Sequence, residues 1–177
     1  MVTARKMAGV VALIALLPLG MACGHGEETR LDEHWARQQV ERIGAIEPGP
    51  CQAIAPNVVA SLVGSTAQRS GPTEAFVEVS CRWSGPRAQI QVRYSAVPRT
   101  MQPQFTATDL VGRGRGPGYR WVLRPVPGSL DRRAGCTFFA QGEQVGLYVE
   151  LGADRRHPDA CRRVRRVGID AGSSVFR

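Results

Sequence analysis

Apolar residues fall along this chain in three rhythms. Between residues 7 and 19 they form a nearly unbroken run, interrupted only by Gly9 and Pro18. At residues 76–83 and 88–94 they alternate with polar ones on either side of Ser84-Gly85-Pro86, and period two across a Gly-Pro turn predicts a β-hairpin. Residues 136–140 and 145–151, separated by a polar turn at 141–144, predict a second hairpin. Helical spacing appears twice. Pro56 and Asn57 introduce Val58, Val59, Leu62 and Val63, followed by Gly64 where a helix C-terminus favours positive φ. Pro158 suits a first helical turn. After it, at about 100° per residue, Ala160, Cys161, Val164 and Val167 span one arc, and Arg162, Arg163, Arg165 and Arg166 fill the opposite one.

Elsewhere the pattern is weaker. Residues 23–50 read as a tether with a helical segment, in which Leu31, Trp35 and Ile43 lie loosely on one side before Pro48-Gly49-Pro50 breaks it. Residues 105–111 read as a helical turn or two and 112–118 as a loop. Residues 119–126 read as an edge strand, because Pro125 and Pro127 fit poorly inside a sheet. The expected fold class is α+β: an antiparallel sheet of four to six strands with packed helices and two disulfides. Its expected organisation is a signal over residues 1–22, the tether over 23–50 and one domain over 51–177.

The first apolar run follows Arg5 and Lys6 and ends in Gly20-Met21-Ala22-Cys23, the build of a secretory signal. It is shorter than the roughly 20 residues that span a bilayer. The stretch Leu19-Gly20-Met21-Ala22-Cys23 resembles a bacterial lipobox, in which the cysteine takes a diacylglycerol and becomes the first mature residue. Gly20 stands where that pattern has leucine, with Leu19 one place further back. The expected location is the extracytoplasmic face of the cell membrane, lipid-anchored through Cys23; plain secretion is the alternative. Cysteine arithmetic agrees, because five cysteines less Cys23 leave Cys51, Cys81, Cys136 and Cys161, an even set for an oxidising compartment. Three connectivities are open. Cys51 with Cys81 and Cys136 with Cys161 is the one that joins neighbouring elements, and it makes the two halves mirror each other.

Charge narrows the partners. The formal charge is +8, of which Arg5 and Lys6 leave with a signal, and Lys6 is the sole lysine. A basic exported chain meets anionic lipid headgroups or wall polymers, whereas nucleic acid is not an expected partner. Arg162, Arg163, Arg165 and Arg166 are the candidate contact with such a surface. No Cys-x-x-Cys or His-Glu-x-x-His occurs, so neither a metal nor a cofactor is expected. His157, beside Asp154 and Asp159, is the one candidate for a catalytic base, and no Gly-x-Ser-x-Gly elbow accompanies it. The Gly-Arg alternation at 112–118 lacks the Lys-Ser/Thr ending of a phosphate loop. The leading reading is a non-enzymatic binding or interaction module. A secreted hydrolase or wall-modifying enzyme is the alternative, and an inhibitor or accessory subunit with an unknown protein partner is a third.

Pro50-Cys51-Gln52-Ala53-Ile54 leading into a helix, Cys81-Arg82-Trp83 before an alternating strand, Gly135-Cys136-Thr137, and Pro158-Asp159-Ala160-Cys161 follow in order. Over residues 51–167 this resembles the actinobacterial lipoproteins of the domain of unknown function 3558 family. The resemblance implies an extracytoplasmic lipoprotein with a compact α+β domain on an antiparallel sheet. It implies no catalytic activity and supplies no active-site residues.

Overall fold

Two hairpins laid edge to edge make the centre of the molecule. The computed structural model describes residues 25–75, 77–86, 88–96, 109–126, 134–153 and 159–177. The segment read as a signal, Cys23, residues 105–108, Arg132, Arg133, Asp154, Arg155, Arg156 and His157 therefore lie outside the described residues. The described elements run α1 (His25–Gly44), α2 (Pro56–Val63), β1 (Gln68–Ala75), β2 (Glu78–Ser84), β3 (Ala88–Ala96), β4 (Gly112–Gly116), β5 (Tyr119–Val126), β6 (Ala134–Gln141), β7 (Val145–Ala153) and α3 (Ala160–Val175). The strands form one sheet in the order β1-β2-β3-β7-β6-β5-β4, and every neighbouring pair is antiparallel. The fold class is α+β with an antiparallel sheet.

Alternation explains which face is covered. Val79, Cys81 and Trp83 of β2, Ile90, Val92 and Tyr94 of β3, and Leu147, Val149 and Leu151 of β7 are all buried in one core. Phe138 of β6 and Trp121 and Leu123 of β5 extend that core, which also takes Ile43 of α1, Leu62 and Val63 of α2, and Val164 and Val167 of α3. The three helices thus share one side of the sheet, α1 and α2 over β2 and β3, α3 over β4 to β7. The other side carries a small cluster of Val122, Phe139 and Tyr148, with Leu110 packed on it.

Each half of the sheet is fastened to its own helix region. Cys51 bonds Cys81, with Cα atoms 5.1 Å apart and 30 residues of separation. Cys136 bonds Cys161 at 5.0 Å with a separation of 25. The pairing is the neighbouring-element one: Cys51 lies in the turn that leads into α2, and Cys161 lies in the first turn of α3.

One segment differs from its sequence reading, a second strand had none, and the helical segment of the tether docks on the core. Residues 112–116, read as loop, are the edge strand β4, and β5 is therefore second from the edge. Glycine hid this strand: Gly114 and Gly116 lie under the Trp121 and Tyr119 rings of β5, where any Cβ would strike the ring. Pro125 is tolerated because β4 pairs only as far as Leu123, leaving the proline opposite Cys136 of β6 alone. Strand β1 had no sequence signal, since seven of its eight residues are exposed and none is buried; it brings the sheet to seven strands. Within 23–50, residues 25–44 are helical, and Ala36 and Ile43 are buried with Val40 packed between them. Among residues 33–44 the inward positions are Ala36, Val40 and Ile43, while Trp35 is 45% exposed; the Leu31 side chain lies outside the described residues. After α1 the chain is held by Tyr94, whose hydroxyl donates to the Pro48 carbonyl at 2.6 Å.

Candidate functional site

Helix α3 is amphipathic in sequence and in place. Ala160, Val164, Val167 and Ala171 face the sheet, so the arginines between them point outward. Helix α2 stands on β3, one strand from the β7 and β6 strands that carry α3. Between the two helices lies a cleft of about 560 Å³. Val58, Ser61 and Leu62 form its α2 wall; Asp159, Arg162, Arg163, Arg166 and Val167 form its α3 wall.

The structure divides the four arginines expected to meet an anionic surface. Arg162, Arg163 and Arg166 line the cleft. Arg165 instead stands over the Trp121 ring, 5.4 Å from its centroid, a cation–π contact that covers the aromatic edge of the core. Arg162 pairs with Asp159 at 2.6 Å, both side chains being well exposed at 75% and 43%. After screening, such a pair contributes about 0–1 kcal/mol. Among the described residues Arg163 and Arg166 have no carboxylate partner. Among the described residues, three cations against one anion leave the cleft formally at +2.

Its opposite wall is mostly apolar. Ser61 turns its hydroxyl to the Val58 carbonyl at 2.7 Å, so the proton is already committed. The sequence marked Val58 and Leu62 only as core positions; they serve the cleft because α2 is one short helix with α3 beside it. Asp159, read as a neighbour of His157, goes to Arg162 and gives α3 no side-chain cap.

Other polar groups are explained by structure. On the helix-free face Arg93 lies between Glu78 at 3.5 Å and Glu150 at 3.9 Å, over the Tyr148 ring at 4.8 Å. The sequence offered no reason to join those glutamates; the β2-β3-β7 register does so by placing Ser80 and Tyr148 opposite Arg93. Arg124 pairs with Asp109 at 3.0 Å, and His34 meets Gln38 at 3.0 Å on α1. Burial, and after it the Glu47 carboxylate, push the Tyr94 phenol well above its ordinary pKa, consistent with a structural donor. Among the described residues no three His, Cys, Asp or Glu side chains gather as metal ligands, and no helix is long and apolar enough to cross a membrane.

Compared with known proteins, the chain matches no family model, no curated protein and no solved structure.

Proposed function

We propose that this protein is a lipid-anchored envelope protein, held through Cys23 at the extracytoplasmic face of the cell membrane, whose domain binds an anionic surface without catalysing a reaction. The observation that carries the binding reading is the α2/α3 cleft, where Arg162, Arg163 and Arg166 face an apolar wall. Guanidinium forks suit phosphate and carboxylate oxygens, and each cation near an anionic membrane surface contributes about 1 kcal/mol of attraction. Two disulfides support an oxidising compartment, and the signal and lipobox-like N-terminus supports export and anchoring. The resemblance to the lipoproteins of the domain of unknown function 3558 family supports the same location.

Two measurements test the proposal. Intact mass of protein extracted from membranes is expected to show a diacylglyceryl adduct beginning at Cys23, with the other four cysteines alkylated only after reduction. Free thiols, or an unprocessed leader on the folded chain, would refute the location. Co-sedimentation with phosphatidylglycerol vesicles is expected to exceed that with phosphatidylcholine vesicles and to fall in the Arg163→Gln/Arg166→Gln double variant; equal retention of the two proteins removes the cleft from the binding.

A further inference from the structure

We infer that the α2/α3 cleft takes one phosphate-headed amphiphile, its phosphate against Arg162, Arg163 and Arg166 and its apolar chain along Val58, Leu62 and Val167, and that Asp159 occupies the headgroup position in the free protein. The inference rests on the anionic-binding reading above and narrows it from a surface to a single molecule.

Size is the first argument. A cleft of about 560 Å³ lies within the range of roughly 300–1,000 Å³ that holds whole small molecules, and a phosphate alone would leave most of it to water. The lining gives the second. Charge is confined to the α3 wall, while Val58 and Leu62 dominate the α2 wall and the Ser61 hydroxyl proton is used within its own helix. A polyol phosphate of a wall polymer would set its hydroxyls against that wall without donors to meet them; an acyl chain would exclude water from it.

Asp159 supplies the third argument. Its carboxylate reaches Arg162 at 2.6 Å from the lip of the cleft, where it mimics the oxygens of a headgroup. The pair is open to solvent, so a phosphate offering two oxygens to several forks displaces a single carboxylate. The aspartate then acts as a filter, because a weaker anion with one oxygen does not outcompete it.

Calorimetric titration of the full-length protein with dihexanoyl phosphatidic acid, glycerol phosphate, inorganic phosphate and a poly(glycerol phosphate) tests this. The amphiphile is expected to bind at least about tenfold more tightly than glycerol phosphate, since each buried methylene adds to affinity. Arg163→Gln and Arg166→Gln are each expected to weaken it by roughly tenfold, through loss of a charge-assisted hydrogen bond. Asp159→Asn is expected to tighten it about two- to fivefold by removing the internal competitor. Val58→Asn should weaken the amphiphile and leave glycerol phosphate unchanged; if that variant unfolds, the Asp159→Asn result decides. Equal binding of amphiphile and glycerol phosphate overturns the inference while leaving the anionic-surface reading standing. Binding of the polymer without the amphiphile overturns it in favour of the wall. If none of the four ligands binds and the arginine double variant also sediments with anionic vesicles as the unmodified protein does, the underlying reading fails too.

Discussion

Tyr94 joins two parts of the chain that are 46 residues apart, because its hydroxyl donates to the Pro48 carbonyl from within the β3 core. The fold holds this phenol neutral: burial first, and Glu47 second, raise its pKa above the ordinary 10.0. An unfolded chain ionises it from pH 10.0 upward, whereas the folded chain still binds the proton. The stability that it contributes is therefore complete below pH 10 and is lost as pH climbs toward the raised folded value, with a slope approaching ~1.4 kcal/mol per pH unit. Tyr94→Phe is expected to cost about 1 kcal/mol at neutral pH, since Pro48 loses its donor, and to flatten the alkaline decline. Urea unfolding of both proteins between neutral and strongly alkaline pH checks this; parallel pH profiles would show that Tyr94 is not the titrating group. The same scale explains what could be read early and what could not. The disulfide cysteines and the α3 arginines declare their chemistry by residue type, but Asp159, Val58 and Leu62 are ordinary residues until α2 and α3 stand side by side.

Among the elements, legibility followed burial. Strands β2 and β3 bury one face and are marked by alternation, and β6 and β7 are marked by apolar runs on either side of a polar turn; α2 and α3 carry buried stripes bounded by Pro56, Gly64 and the region of Pro158. Edge strands lack that signature. Strand β1 buries no residue, and β4 replaces its inward side chains by glycine beneath the Trp121 and Tyr119 rings, so its inner face is furnished by its neighbour. Helix α1 is intermediate, because among its described side chains only Ala36, Val40 and Ile43 turn inward. Ile43 is 1% exposed there, and Ile43→Ala is expected to lower stability by about 2–4 kcal/mol through lost burial and a residual cavity. A change within ~0.5 kcal/mol in chemical denaturation would mean that the helix does not dock. Trp35→Ala, at an exposed position of the same helix, is the matching control.

At the scale of the whole molecule, the cationic cleft and the anchor proposed at Cys23 would act together: the anchor would confine the domain to a surface, and the cleft would then meet anionic groups at high local concentration. Because the cleft arginines are solvent-exposed, their part of the attraction is screened by salt. Vesicle binding by the domain is expected to weaken markedly between about 0.05 and 0.5 M salt, as the screening length shrinks from about 14 to 4 Å, while an acyl anchor persists. Salt-insensitive recruitment that is identical in the arginine double variant would assign all of the binding to the anchor. Local pattern alone carried the even set of four cysteines, the α+β class, both hairpins and the amphipathic last helix, because each depends on residues close together in the chain. The tertiary structure decided the order β1-β2-β3-β7-β6-β5-β4, the docking of α1 and the division of four arginines into three lining a cleft and one lying over Trp121. Those outcomes depend on strand register and on which helices the central β3–β7 pairing makes neighbours, and a linear pattern records neither.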